Sequence, residues 1–250
     1  MAKKRADQLL VERGLAESRT RAQAYIMAGN VYSGEHKIEK SGQQLSQDIA
    51  LEVRGKEHPW VSRGGLKLLK GLEEFNIDVS GMTVVDVGAS TGGFTDVCLE
   101  NGAKKVYAVD VGHGQLAWKI RNDERVQVLE KTNARYLTAA EIADPINLIV
   151  CDASFIGLQM ALPATMSLAA YGCILVALIK PQFEVGKGKV GKGGVVRDPE
   201  QHTQVCEKIK NWLSDDMEGW TIIGLTQSPI KGPEGNIEFL IGAKYTGKKV

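Results

Sequence analysis

No Cys-x-x-Cys pair occurs in this chain, and its four cysteines, Cys98, Cys151, Cys173 and Cys206, stand far apart. That spacing excludes a disulfide framework and reads as four reduced core residues. The four histidines, His36, His58, His113 and His202, show no metal-ligand spacing to one another or to the cysteines, so no metal site is expected. Long apolar runs are missing as well. The longest, from Cys173 to Ile179, is too short to cross a bilayer and ends in Lys180. The start, Met1 to Asp7, lacks the apolar region of a secretory signal, so a cytoplasmic protein without stable membrane association is expected. Charge of one sign is not in excess, with 31 basic against 30 acidic side chains. Any nucleic-acid binding must therefore come from local patches.

What is present is alternation. At 250 residues and 43% hydrophobic content, the chain suits one large α/β domain and a small one. Strand-like runs at 83–87, 105–109, 126–129, 146–151, 173–179, 221–225 and 236–245 alternate with helical patterns. This predicts a doubly wound, mainly parallel seven-stranded sheet with helices on both faces. A helix over 64–76 precedes it, with Leu66, Leu69, Leu72 and Phe75 at helical spacing and Lys67 and Lys70 off that stripe.

The N-terminal part reads as a small α+β domain over 1–58, joined by a linker at 59–63 to a large domain over 64–250. Ala6, Leu9 and Leu10 mark a first helix that Gly14 ends. Ser18 is a good N-cap for a second, which puts Arg19 and Arg21 on its first turn. Short strands are expected around Val31 and Tyr32 and over 49–53.

The most informative segment is Thr83-Val84-Val85-Asp86-Val87-Gly88-Ala89-Ser90-Thr91-Gly92-Gly93-Phe94, a buried strand running into a glycine turn and then a helix. Glycines here let backbone approach a ligand closely. The Gly-x-x-x-Gly-Gly spacing is neither a dinucleotide fingerprint nor a phosphate loop, which points to a ligand without a pyrophosphate, although the turn taken alone also fits an NAD-type fold. Other strand ends are polar: Asp110, Asn133, Asp152 and Lys180. Asp110, about twenty residues past the turn, suits the two hydroxyls of a ribose. Asp86 fits either a site role or a strand-end carboxylate bonded to backbone amides.

These features resemble S-adenosylmethionine-dependent methyltransferases. The resemblance implies that Gly88, Ala89, Ser90, Gly92 and Gly93 surround the methionine portion of that cofactor, with Asp110 at the ribose and Asn133 at the adenine edge, and that Asp86, Phe94 and Asp152 also belong to the cofactor site. Lys67, Asp152, Lys180 and Glu238 resemble the Lys-Asp-Lys-Glu tetrad of FtsJ-like RNA 2′-O-methyltransferases, which implies Lys180 as base or hydroxyl-steering residue. If the last strand is antiparallel, all four can face one crevice. The words Val61-Ser62-Arg63-Gly64-Gly65-x-Lys67, Cys151-Asp152-x-Ser154-Phe155 and Lys180-Pro181-Gln182-Phe183-Glu184 resemble the TlyA (haemolysin A) family. Arg5-x-Asp7-x-Leu9-Leu10 with Gly14-Leu15-x-x-Ser18-Arg19 is similar to the S-four-type (αL) RNA-binding module.

The family implies 2′-O-methylation of cytidine in ribosomal RNA, with ribosomal RNA or ribosomal subunits as partners. Two basic patches suit a phosphate surface: Lys4, Arg5, Arg19 and Arg21 in the first, and Lys187, Lys189 and Lys192 in a glycine-rich loop beside Lys180. A ribosome-binding protein without enzymatic activity is the competing reading, and an intact tetrad argues against it. The absence of a spanning segment argues against a direct membrane-lytic protein. Oligomeric state leaves no sequence signal.

Overall fold

The computed structural model describes residues 3–54, 58–186 and 188–247. Its N-terminal unit runs β1 (Lys3–Arg5), α1 (Ala6–Glu12), α2 (Arg19–Met27), β2 (Val31–Ser33), β3 (His36–Lys37), β4 (Gln44–Ser46) and β5 (Glu52–Val53). Ser18 caps α2 as expected, its side chain accepting from Arg21 N–H at 3.2 Å. Strand β1 pairs antiparallel with β4, and β2 pairs with both β3 and β5. Strands β1, β3 and β4 have no counterpart in the sequence reading, and the strand expected over 49–53 contracts to its last two residues. Runs of two or three residues are too short to show a period of two.

The unit closes on its own core of Ala6, Leu9, Leu10, Ala22, Ile26 and Val31. Inside it, fully buried Asp7 accepts from Arg5 Nε and Nη2 at 2.9 Å each, from Arg19 Nη2 at 3.2 Å and from Gln23 Nε2 at 3.0 Å. The Arg5 guanidinium holds this carboxyl far below the usual carboxylate range, against the opposing effect of burial.

Beyond residue 58 come α3 (Gly64–Glu74), β6 (Thr83–Val87), α4 (Gly93–Glu100), β7 (Lys105–Val109), α5 (Trp118–Arg121), β8 (Val126–Leu129) and β9 (Ile146–Cys151). They are followed by α6 (Leu158–Ala161), α7 (Pro163–Met166), β10 (Ala169–Ile179), α8 (Pro181–Glu184), α9 (Pro199–Asn211), β11 (Trp220–Gln227) and β12 (Phe239–Tyr245). The predicted seven-stranded sheet is present, in the order β11-β12-β10-β9-β6-β7-β8. Strand β12 alone runs antiparallel to its neighbours. The order reverses between β6 and β9, which opens a crevice at their carboxyl ends.

The central strands are buried on both faces, with alternate residues serving two cores. Val84, Leu148, Val176 and Leu240 share a core with residues of α3 and α4, whereas Val85, Ile149, Leu175 and Ile241 share the other with Met166 of α7 and Ile209 of α9. Helix α3 ends at Glu74, two residues earlier than its periodicity suggests. Asn76 there takes a left-handed φ of 53°, and Ile77 N–H closes back on the Leu72 carbonyl at 2.9 Å. The last strand likewise begins at Phe239, so Glu238 lies just ahead of it.

Asp86 is the one acid inside β6. It is fully buried, accepts from Thr95 Oγ1 at 2.6 Å through Oδ2, and leaves Oδ1 without a hydrogen-bond partner. Burial pushes this carboxyl up to about 7.

Removing the Asp7 carboxylate in Asp7→Ala is expected to cost about 2 kcal/mol, because the charge-assisted hydrogen bonds that this buried carboxylate accepts are lost. Hydrogen exchange in α1 and α2 should accelerate accordingly. Asp86 ionises near 3.8 in the unfolded chain and at about 7 in the fold, so its contribution is complete at low pH and is lost as pH rises through that window. Denaturation from pH 4 to 7 should therefore show Asp86→Asn gaining on the wild type as pH rises.

Candidate active site

Two registers build the site. In the parallel ladder Val87 stands beside Cys151, and Asp152 N–H donates to the Val87 carbonyl at 3.1 Å. The segments leaving β6 and β9 therefore start side by side. Gly88 permits this, with φ of 84° and a position where a Cβ would lie 2.8 Å from Ala153 Cα. In the antiparallel ladder Ile179 faces Phe239, which brings Lys180 and Glu238 to the same sheet edge. Helix α3 lies on this edge, pressed against Val176 and Leu240 at Gly71.

That packing turns Lys67 inward rather than off the stripe to solvent. Its Nζ donates to Glu238 Oε2 at 2.6 Å and lies 3.9 Å from Asp152 Oδ2. Lys180 Nζ donates to the Asp152 carbonyl at 2.9 Å and to Ser154 Oγ at 2.8 Å. It also lies 2.6 Å from Asp152 Oδ1, a buried carboxylate oxygen, with which it forms an ion pair. Both lysines are 5% exposed and Glu238 is fully buried. Two cations and two anions compensate one another where either charge alone would be costly to bury.

Two cavities meet here. The first, of about 450 Å³, is lined by Gly88, Ser90, Asp110, Asn133 and Asp152 among others. The second, of about 350 Å³, touches Lys67, Ala89, Gly93, Phe94 and Lys180 and is walled on one side by Glu17 and Ser18 of the N-terminal unit. They share Gly88, Ser90, Asp152 and Ser154. At the first cavity, Asp110 accepts from Ser90 N–H at 2.8 Å and from Gly112 N–H at 2.7 Å, one on each carboxylate oxygen. Asn133 caps a short turn, its Oδ1 accepting from Arg135 N–H at 3.1 Å.

Three predicted residues line neither cavity. Asp86 lies beneath the turn, Gly92 packs against Leu116 and Ile120, and Glu238 sits behind Lys67. Of the predicted RNA-binding residues, Lys4 pairs with Glu12 at 2.9 Å, Arg5 and Arg19 share Asp7, and Arg21 stacks over Tyr25. Lys189 and Lys192 are exposed, and Lys187 lies outside the described residues.

Sequence reasoning assigned no role to Glu17, Ser154 or Phe155. Glu17 reaches the site only through tertiary contact, its Oε1 accepting from Arg63 N–H at 3.2 Å. Phe155 is 90% exposed at the rim of the first cavity, with φ of 66°, and its ring centroid lies 5.2 Å from that of Phe183. A large aromatic in the left-handed region and open to water is unusual on both counts. No hydrophobic periodicity could have marked it.

Comparison with known proteins agrees with this architecture. Residues 60–245 match the model of the FtsJ-like methyltransferase family, and residues 4–48 match the S4 domain. The chain is 47% identical over 238 residues to the 16S/23S rRNA (cytidine-2′-O)-methyltransferase TlyA of Mycobacterium tuberculosis, covering 95% of this chain and 88% of that one. It is 41% identical to Hemolysin A of Brachyspira hyodysenteriae, covering 94% and 98% of the two chains. A solved structure described as a hemolysin candidate of Streptococcus thermophilus superposes with a TM-score of 0.75 at 43% identity, covering 98% of this chain and 90% of that one. The chain therefore belongs to the FtsJ-like methyltransferase family, in the TlyA group that carries an S4 domain ahead of the catalytic fold.

Proposed function

We propose that this protein transfers a methyl group from S-adenosylmethionine to the 2′-hydroxyl of a cytidine in ribosomal RNA, in the cytoplasm. The observation that carries the reading is the buried Lys67–Glu238 and Lys180–Asp152 pairing where the two cavities meet. A cofactor-sized chamber and a separate acceptor chamber with ionisable groups between them suit group transfer between two bound molecules.

The first cavity fits the cofactor. Gly88 lets the segments leaving β6 and β9 close together so that both line it, and each Asp110 oxygen, already accepting one backbone N–H, has a second lone pair for a ribose hydroxyl. Gly88 and Ser90 form the wall at the methionine end, above buried Asp86, and Asn133 stands at the adenine end. The cofactor supplies a methyl group activated on a positively charged sulfur.

The chain's own residues then have two tasks. Lys180, a donor directed into the crevice, orients the acceptor oxygen. The Asp152 carboxylate, which lines both cavities, accepts the hydrogen bond of the hydroxyl proton, which aims an oxygen lone pair at the methyl. Lys67, fixed by Glu238, holds the Asp152 carboxylate in place. Phe155 offers a flat apolar face on which an unstacked base can rest, and the guanidiniums of Arg5 and Arg19 offer contacts to phosphate.

The test uses labelled cofactor and ribosomal particles. Label should reach a ribose hydroxyl, and Lys180→Ala should lower the rate about a hundredfold or more while calorimetric cofactor affinity stays the same. Full-rate transfer by Lys180→Ala overturns the assignment. Phe155→Ala should reduce kcat/KM for RNA about tenfold, the effect of losing one stacking contact, with cofactor affinity again retained.

A further inference from the structure

Ser154 stands at the junction of the two cavities, outside the tetrad but hydrogen-bonded to one of its members. It follows β9 by three residues, is exposed to the crevice, and lines both chambers. Its hydroxyl oxygen accepts from Lys180 Nζ at 2.8 Å. The polarity of that bond is fixed, because an ammonium has three hydrogens and no lone pair.

Fixing one end of the bond fixes what the other can do. With an Oγ lone pair engaged by Lys180, the Ser154 hydrogen points elsewhere, and no protein acceptor for it stands among the described residues. The crevice is the open direction. An ammonium on one side also polarises the hydroxyl, making it a stronger donor on the other. The same lysine is held by the Asp152 carbonyl and carboxylate, which limits how far it can swing to meet an acceptor by itself.

We infer that Ser154 is a catalytic residue that extends Lys180: its hydroxyl donates to a ribose oxygen of the acceptor nucleotide and, with Asp152, fixes the 2′-oxygen in line with the methyl. The inference rests on the proposed methyl transfer to ribose. No bond of Ser154 forms or breaks. The new carbon–oxygen bond is made by the 2′-oxygen, the sulfonium–methyl bond breaks with its electron pair returning to sulfur, and the hydroxyl proton leaves through Asp152 to solvent.

The experiment measures steady-state methylation of ribosomal RNA by the full chain with labelled cofactor, alongside calorimetric cofactor titration. Ser154→Ala should lower kcat about tenfold, the factor that ~1.4 kcal/mol represents. RNA KM should stay within about twofold, because phosphate contacts elsewhere dominate binding of the polymer. Cofactor affinity should be unchanged, and Ser154→Thr, which keeps the hydroxyl, should regain most of the lost rate. A Ser154→Ala enzyme with full kcat overturns the inference, as does a loss of cofactor affinity parallel to the loss of rate. Lys180→Ala measured beside it separates the two ideas. A slow Lys180→Ala with a full-rate Ser154→Ala defeats only the role of Ser154, whereas a full-rate Lys180→Ala defeats the tetrad reading itself.

Discussion

The reversal of one strand governs the site. Strand β12 enters the sheet antiparallel to β10, so its first residues lie at the edge where the parallel strands end. Ile179 opposite Phe239 sets the register, and a shift by one residue would turn Glu238 to the other face of the sheet. Glu238 then has Lys67 at 2.6 Å, and without it that lysine would be a buried cation with one distant carboxylate. Even the segment leading to β12 is shaped by this contact, since a Cβ on Gly232 would collide with Glu238 Oε1. Sheet register, helix placement and charge compensation are thus one constraint seen at three scales.

Much of this was legible in the sequence, and the reasons differ by element. The central strands are continuous β-branched or apolar runs between glycine and polar punctuation, so Thr83 to Val87 and Ile146 to Cys151 read to the residue. The polar residues after them, Asp152 and Lys180, read as crevice residues because a parallel sheet presents its carboxyl ends together. Lys67 was harder. Its position off the Leu66–Leu69–Leu72 stripe says only that it avoids one face of α3, and the partner that makes its burial tolerable lies 171 positions away in the sequence. Ser154 and Phe155 leave even less trace, since a serine and an aromatic beyond a strand end have no period and their exposure is a tertiary fact. The small strands of the N-terminal unit fail for lack of length.

The N-terminal unit repeats in miniature the logic of the site. Asp7 gathers Arg5 and Arg19, two cations that would repel each other at the surface, and holds both guanidiniums against one buried carboxylate. Their remaining N–H groups stay on a partly exposed surface. In both places a buried anion sets the geometry of cations whose chemistry faces outward. The unit also contributes Glu17 and Ser18 to the wall of the second cavity, so that cavity is complete only when both parts of the chain are in contact.

The arithmetic of the tetrad has a kinetic consequence. Lys67 and Lys180 against Asp152 and Glu238 leave that cluster with no formal net charge, so its ion pairs exert little pull on a polyanion beyond a Debye length. On the proposed reading, attraction of RNA at a distance belongs instead to the arginines around Asp7 and to the exposed lysines at 189 and 192. Ionic strength accordingly acts on capture and leaves the chemical step almost alone. Raising salt would thin the traffic reaching the enzyme without slowing the turnover of what has already arrived.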